Sequence, residues 1–173
     1  RYGMQVQSVF KKLVGCDIRM ICPLHGPVWR NNIGYIMDKY DLWSRYAPEK
    51  KGVVLAYASM YGNTANAVSV VASRLSEKGV ADMRMYDVSK THPSYIIADA
   101  FKYSHLVLAS PTYNAGLYFG IESLLRDMAV LNLCRRKVAL IANGSWAPAA
   151  HVVMEKLISE MKGMELLCPS FIL

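Results

Sequence analysis

The sequence predicts an α/β protein built on a parallel β-sheet and preceded by a short helical segment. Three observations indicate this. Short apolar runs recur after residue 51, amphipathic helical patterns lie between them, and a polar stretch with proline and glycine separates both from residues 1–50. Continuous apolar runs are typical of strands buried on both faces. Strands that alternate with helices predict βαβ units, and therefore a parallel sheet.

The front segment, residues 1–50, contains two amphipathic helical patterns with a short extended piece, 20–23, between them. Asn31 or Asn32 is the candidate N-cap of the second helix. The apolar residues at helical spacing are Val6, Val9, Phe10 and Leu13 in the first pattern, and Ile33, Ile36, Met37 and Tyr40 in the second. Two helices and one strand are too little for an independent core, so we expect the tail end of another domain.

A module boundary is predicted in the polar stretch 47–52, because Pro48 opposes helix at the residue before it. Beyond it we expect one domain over residues 51–173. Buried strands are predicted at 53–58, 105–109 and 137–142, a more alternating strand at 81–88, and a fifth strand at 165–173.

Three amphipathic helices are predicted between and after these strands. Apolar residues recur at positions i, i+3, i+4 and i+7 in three sets: Val68, Val71, Ala72 and Leu75; Ile121, Leu124, Leu125 and Met128; Ala150, Val153, Met154 and Leu157. This spacing places each set on one face of a helix.

Composition excludes several classes of protein. Of 173 residues, 53% are hydrophobic and 19% charged, which argues against a disordered or fibrous chain. No apolar run approaches the ~18 residues of a membrane span. The net charge of +7 is concentrated in residues 1–51, which carry nine basic and four acidic side chains. These form only short pairs such as Lys11–Lys12, so we expect no nucleic acid, although an acidic partner would fit.

The four cysteines lack the spacing of a zinc site or a redox dithiol, and suit a reducing cytoplasm. We interpret all four as small buried hydrophobic residues rather than as reactive thiols. They are Cys16, Cys22, Cys134 and Cys168.

The first candidate binding loop follows the first predicted strand and opens a helix. Its residues are Ser59, Met60, Tyr61, Gly62, Asn63 and Thr64. Hydroxyls and backbone N–H groups at a helix start favour an anion, and the absence of lysine and of a three-glycine pattern disfavours nucleotide triphosphates and dinucleotides. A terminal monophosphate held by neutral donors fits best. The alternative is an ordinary turn in which Asn63 or Thr64 caps the helix.

Two further loops follow the third and fourth strands. The second contains Ser110, Pro111, Thr112, Tyr113, Asn114, Ala115 and Gly116, and the third contains Asn143, Gly144, Ser145, Trp146, Ala147 and Pro148. Tyr113 and Trp146 offer flat faces to a planar ring, and Asn114 offers hydrogen bonds to its edge. The alternatives are a Pro/Asn/Gly turn and a tryptophan that covers the sheet edge. Ligands of open parallel sheets bind at the carboxyl ends of strands, so we expect the three loops to form one site.

Together the three loops resemble the flavin mononucleotide (FMN) site of flavodoxin-like domains. The phrase over residues 110–118 is similar to flavodiiron proteins, also called A-type flavoproteins. Residues 21–30 and 40–44 resemble the end of the metallo-β-lactamase-like domain of that family and its joining segment. The resemblance therefore runs through nearly the whole chain.

The resemblance implies a flavodoxin-like, doubly wound sheet of five parallel strands in the order 2-1-3-4-5, with a short N-terminal helical appendage. It implies FMN as cofactor, bound by the residues of the three loops apart from Ala115, Ala147 and Pro148. The family often has asparagine where Ala115 stands and proline near Phe119. The flavodoxin-like fold adds a last helix beyond the fifth strand, so we expect one sheet face to be partly bare.

The family reduces dioxygen or nitric oxide at a diiron centre, which the flavin supplies with electrons across a head-to-tail homodimer. The implied partners are that diiron domain, in the parent or a dimer mate, and an electron donor such as rubredoxin or a reductase. Of the metal ligands only His25 has a match here, so we predict no metal and no catalytic residue in this chain. The alternatives are a free-standing flavodoxin-like carrier and a structural fragment without cofactor.

Overall fold

The computed structural model describes residues 2–145 and 147–173. Two helices lie in the front segment, α1 (Gly3–Lys12) and α2 (Ile33–Ser44). The α/β part that follows consists of β1 (Lys50–Tyr57), α3 (Asn63–Glu77), β2 (Met83–Asp87), α4 (Pro93–Lys102), β3 (Tyr103–Tyr113), β4 (Gly116–Leu117), α5 (Phe119–Val130), β5 (Lys137–Asn143), α6 (Ala150–Ser159), β6 (Glu165–Leu166) and β7 (Phe171–Ile172).

The sheet has the strand order β2-β1-β3-β5-β6, and every pairing along this path is parallel. β7 also pairs with β5 in parallel, so β6 and β7 share the fifth position. The predicted order 2-1-3-4-5 is therefore confirmed, with β5 as the fourth strand and β6 with β7 as the fifth. This arrangement is the flavodoxin-like, doubly wound α/β fold.

The core lies on both faces of the sheet because alternate residues of each buried strand point to opposite sides. The larger cluster contains Val54, Ala56, Leu106, Leu108 and Leu140, packed against α4, α5 and α6. The smaller cluster contains the intervening strand residues, such as Leu55, Val107 and Ile141, and within the described residues its helical members all come from α3. One face thus carries three helices and the other carries one.

The predicted fifth strand at 165–173 was wrong as a continuous strand. β6 pairs with the start of β5 and β7 with its end, while Cys168–Ser170 lie outside both strands. Pro169 stands in this gap, and proline has no N–H to donate to a neighbouring strand. Phe171, Ile172 and Leu173 at this edge remain about half exposed.

The predicted burial of the four cysteines was wrong for three of them. Cys16, Cys22 and Cys168 are exposed, and Cys134 is buried.

The helix α4 was not foreseen from the sequence. Its start carries a recognisable signal, since Pro93 occupies the first turn and the ring Nδ1 of His92 accepts a hydrogen bond from the Ser94 backbone N–H at 3.3 Å. Ile96 and Ala100 lie one turn apart and are buried against the sheet.

The front segment has the predicted elements. α1 and α2 pack together, and a single antiparallel bridge between Ile21 and Trp29 stands where the short extended piece was expected. Asn32 is the N-cap of α2, but it adopts a left-handed conformation with φ 54° and its side chain makes no capping bond. No helix within residues 2–145 and 147–173 is long and apolar enough to cross a membrane.

Candidate functional site

The three predicted loops come together at the carboxyl edge of the sheet. β1, β3 and β5 are adjacent and parallel, so the segments that follow them emerge side by side. Two sets of side-chain hydrogen bonds tie the segments to one another. The Asn143 Nδ2 group donates to Thr64 Oγ1 at 3.3 Å, and the backbone N–H groups of Ala149 and Ala150 donate to Thr112 Oγ1 at 3.1 and 3.3 Å.

The first loop turns at Gly62, whose φ of 90° is a left-handed conformation that favours glycine. α3 begins at the next residue, and neither Asn63 nor Thr64 caps it with its side chain. Instead Ser59 Oγ accepts hydrogen bonds from the N–H groups of Gly62 at 3.1 Å and Ala65 at 3.3 Å. The capping side chain is therefore that of Ser59, two residues beyond the end of β1, and not that of Asn63 or Thr64.

Four other amides between residues 60 and 64 form no hydrogen bond within the described part of the chain. They belong to Met60, Tyr61, Asn63 and Thr64. Tyr61 is 88% exposed, whereas Thr64 is buried with its hydroxyl oxygen close to Asn143. Unpaired N–H groups at the start of a 15-residue helix are donors of the kind that an anion requires. This donor set fits the terminal phosphate of FMN.

The second predicted loop is largely strand. β3 extends to Tyr113 and turns back into β4, so Ser110, Pro111, Thr112 and Tyr113 belong to a hairpin rather than to a loop. Only Asn114 and Ala115 form the turn, with φ values of 48° and 55°. The apolar pattern did not indicate this hairpin, because the pairing of β3 with β4 extends the strand beyond its apolar run.

The hairpin gives the predicted residues different surroundings. Ser110 is fully buried, its hydroxyl donates to the Pro111 carbonyl oxygen at 2.9 Å, and its oxygen accepts from the Tyr118 N–H at 3.3 Å. The structure thus gives the Ser110 side chain a structural role. Tyr113 is 43% exposed and meets the Tyr118 ring edge-on, with centroids 6.0 Å apart. Its ring lies at the carboxyl edge of the sheet, where the sequence predicted a flat aromatic face for a planar ligand.

The third loop begins at Asn143, the last residue of β5. Gly144 lies so close to the second segment that an added Cβ would be 2.9 Å from Thr112 Oγ1 and 3.2 Å from the Pro148 Cα. Ser145 is exposed. Trp146, predicted to stack on a ring, lies outside the described residues.

Two polar residues beside the loops complete the local picture. Asp87 at the end of β2 accepts a hydrogen bond from the Ser89 N–H at 2.9 Å through Oδ1, so its side chain caps the loop that follows β2. Sequence reasoning missed His151 in the first turn of α6. Its Nδ1 atom is buried without a partner in the described part of the chain. A single histidine on a helix carries no sequence signal that could have indicated this.

The candidate site is electrically neutral. The segments 59–64, 110–116 and 143–148 contain no charged side chain. A shifted pKa occurs away from the site, as at His105 near the opposite ends of the strands, where burial and then the charge of Lys137 lower the pKa. Residues 2–145 and 147–173 contain no cluster of three potential metal ligands, and His25 is exposed.

The fold and the three loops define a flavodoxin-like domain that carries an appended front segment. No protein-family model matches the chain. It is 33% identical over 160 residues to an uncharacterised protein of Methanocaldococcus jannaschii, covering 92% of this chain and 40% of that protein. It is 26% identical over 158 residues to the anaerobic nitric oxide reductase flavorubredoxin of Vibrio vulnificus, covering 84% of this chain and 32% of that protein.

Two solved structures have the same fold. The rubredoxin:oxygen oxidoreductase of Desulfovibrio gigas superposes with a TM-score of 0.90 at 21% identity, over 99% of this chain and 43% of that chain. Flavodoxin 2 of Bacillus cereus superposes with a TM-score of 0.59 at 23% identity, over 70% of this chain and 83% of that chain. The resemblance to flavodiiron proteins is thereby confirmed. The chain spans less than half the length of the flavodiiron-type proteins it matches.

Proposed function

We propose that this chain is the FMN-binding, electron-transferring module of a flavodiiron-type oxidoreductase. The observation that carries the proposal is the meeting of three neutral, donor-rich segments at the carboxyl edge of β1, β3 and β5. Ligands of open parallel sheets bind at this edge. When bound, FMN supplies one- and two-electron redox chemistry, while the protein supplies binding and orientation.

The first loop would hold the phosphate. The amides of Met60, Tyr61, Asn63 and Thr64, which have no partner among the described residues, lie at the start of α3, and the helix dipole adds a partial positive charge there. Ser59 keeps one hydroxyl hydrogen to donate, because its oxygen accepts from two amides and a hydroxyl still has one donor. A dianion is thus bound without a cationic side chain.

The other two segments would surround the flavin ring. Tyr113 offers an exposed aromatic face, and Asn114 and Gly116 offer polar groups at the hairpin turn. Asn143, Gly144 and Ser145 would line the facing side, and Trp146 remains a predicted stacking residue. Pro111 and Thr112 lie between these walls, one buried and the other half-buried.

For the whole protein we propose reduction of dioxygen or nitric oxide at a diiron centre, with this module as the source of electrons. Support comes from relatives and structural matches whose names describe a nitric oxide reductase and a rubredoxin:oxygen oxidoreductase. The proposed partners are the diiron domain of the parent or of a mate in a homodimer, and a rubredoxin or reductase as electron donor.

The front segment supports this reading over a free-standing carrier. The match to the Desulfovibrio structure covers 99% of the chain and so includes residues 1–50, whereas the match to a flavodoxin covers 70%. We propose that residues 1–50 are the tail of a metallo-β-lactamase-like domain and that 51–173 form the FMN domain. The unpaired cysteines support a reducing cytoplasm as its location.

The test compares FMN with riboflavin, which lacks only the phosphate. Each ligand is titrated into the flavin-free chain while flavin fluorescence and absorbance are followed. We expect FMN to bind roughly 100-fold more tightly, as two charge-assisted hydrogen bonds would provide. Equal affinities would overturn the phosphate assignment, and failure of both ligands to bind would support the cofactor-free alternative.

A matched pair of serine variants tests whether the first loop causes the difference in affinity between FMN and riboflavin. Ser59→Ala removes the hydroxyl that organises the loop, whereas Ser69→Ala changes an exposed residue of α3. We expect Ser59→Ala to weaken FMN binding more than riboflavin binding, and Ser69→Ala to leave both unchanged.

A further inference from the structure

Helix α6 begins without a cap of its own. Its N-cap is Ala149, which has no side chain able to accept a hydrogen bond, and Ala147 and Pro148 before it are equally apolar. The first N–H groups of a helix have no partner within the helix. Ala150 at this end is fully buried, so water cannot readily serve its amide.

Thr112 supplies the missing acceptor from a different element. Its Oγ1 atom, near the end of β3, accepts hydrogen bonds from the N–H groups of Ala149 at 3.1 Å and Ala150 at 3.3 Å. The donors lie 37 and 38 residues away along the chain. The bond therefore joins the second segment of the site to the far end of the third.

The same hydroxyl also touches the near end of the third loop. A Cβ on Gly144 would be 2.9 Å from Thr112 Oγ1 and 3.2 Å from Thr112 Cβ, closer than ordinary contact. Thr112 thus lies against both ends of the stretch that connects β5 to α6. A substitution at Thr112 would therefore alter contacts at both ends of that stretch.

These contacts limit what Thr112 can do for a ligand. A hydroxyl oxygen accepts two hydrogen bonds and donates one. Both acceptor positions of Thr112 are taken by the helix amides, so only its hydrogen is available to the site.

We propose that Thr112 is a positioning residue that caps α6 from the neighbouring strand and thereby fixes the third loop against the second. The capping role depends only on the two hydrogen bonds to Thr112 Oγ1 and does not require a flavin. Its consequence for the flavin rests on the proposed function: loss of the cap loosens the third loop and weakens FMN binding indirectly.

The first measurement needs no flavin. Amide hydrogen exchange at Ala149 and Ala150 is followed by NMR in the wild type, Thr112→Val and Thr112→Ser. Thr91→Val is the matched control, because the Thr91 side chain makes no hydrogen bond within residues 2–145 and 147–173. We expect Thr112→Val to speed exchange at both amides at least roughly fivefold, the effect of losing a cap, and Thr112→Ser to restore protection. Unchanged exchange in Thr112→Val overturns the proposal. Thr112→Ala replaces the valine variant if that variant does not fold.

The second measurement is the FMN dissociation constant of the same variants. We expect weaker binding in Thr112→Val and rescue in Thr112→Ser. Faster exchange with unchanged FMN affinity in Thr112→Val would overturn the positioning of the site. If the wild type binds no FMN, the proposed function fails, while the exchange data still decide whether Thr112 caps α6.

Discussion

The guanidinium of Arg136 is buried, with only 1% of the residue exposed and no carboxylate paired with it in the described part of the chain. Burial lowers its pKa from 12.5 to about 10. Carbonyl oxygens replace the counter-ion, and they belong to Ala100, Phe101, Tyr46 and Cys134, at 2.7–3.0 Å. The Arg136 side chain thus donates hydrogen bonds to carbonyl oxygens at the end of α4 and to one in the segment that leads into β1.

Replacement of Arg136 by methionine is expected to destabilise the fold. Arg136→Met keeps an apolar stem but leaves several buried carbonyl oxygens without donors, which should lower the free energy of unfolding by about 3 kcal/mol. Urea unfolding measures this, with Arg135→Met, at an exposed neighbour, as the control. Equal effects of the two substitutions would contradict the role assigned to the buried guanidinium.

The contribution of Tyr86 to the free energy of unfolding should depend on pH. Burial, together with the hydrogen bond that its hydroxyl donates to Asp99 Oδ2 at 2.6 Å, raises the pKa of Tyr86 to about 12. The fold therefore favours the neutral phenol, and this stabilisation is complete below the ordinary value of 10.0 and lost as the pH rises towards 12. The free-energy difference between wild type and Tyr86→Phe should shrink over that interval.

The exposed Tyr95 provides the matched control for this experiment. Urea unfolding at a series of pH values from about 9 to 12 should give a constant difference between wild type and Tyr95→Phe. A constant difference for Tyr86→Phe as well would refute the coupling to Asp99.

At the scale of elements, the turn between β3 and β4 has two adjacent residues in strained backbone conformations. Asn114 and Ala115 both adopt left-handed conformations, as in a two-residue hairpin of the type that prefers Asn-Gly. Asparagine tolerates this region, but alanine has a Cβ that crowds the backbone there. The turn is held in place by pairing of Thr112 with Leu117 and of Tyr113 with Gly116.

Ala115→Gly should therefore stabilise the protein. Glycine removes the crowding at φ 55° and should raise the free energy of unfolding by about 0.5–1 kcal/mol. Chemical denaturation measures it. The control Ala67→Gly, within α3, should have the opposite sign, because glycine in a helix interior costs about 1 kcal/mol. A loss of stability in Ala115→Gly would show that the turn is not strained.

The sequence predicted those elements whose signal is local. β1, β3 and β5 were found because each contains a continuous apolar run, and α3, α5 and α6 because one face of each is apolar. The hairpin was missed because the pairing of Tyr113 with Gly116 depends on two left-handed residues that no periodicity reveals. The cap from Thr112 was equally hidden, since its donors are distant in sequence.

At the scale of the whole molecule, the front segment and the α/β domain are joined by a fixed segment rather than by a free linker. Glu49 pairs through its carboxylate with Lys39 and accepts from the Trp43 Nε1 group at 2.7 Å, while its own N–H donates to the Lys102 carbonyl oxygen at 2.8 Å. Burial alone raises the pKa of Glu49, but the bonds from Lys39 and Trp43 outweigh it and hold that pKa below its ordinary value.

These contacts of Glu49, which we call the joint, should make the front segment and the α/β domain unfold together. In urea, tryptophan emission and far-ultraviolet circular dichroism should give coincident transitions. The Trp146→Phe background leaves only Trp29 and Trp43, both in the front segment, as emitters. Glu49→Ala removes the partner of the half-buried Lys39 and should move the tryptophan transition to lower urea, ahead of the other signal.

The control for the joint is Glu160→Ala, an exposed residue at the end of α6 with no side-chain bond among the described residues. It should leave the two transitions coincident. Separate transitions in the wild type would show that the joint does not couple the parts.

The Ser59 hydroxyl oxygen already accepts hydrogen bonds from the N–H groups of Gly62 and Ala65, so the turn is formed before any ligand binds. A preformed turn needs no slow rearrangement during association. The association rate constant should then be set by diffusional encounter and orientation, and not by a conformational change of the loop. Variants of the surrounding residues would differ mainly in how long a bound molecule stays.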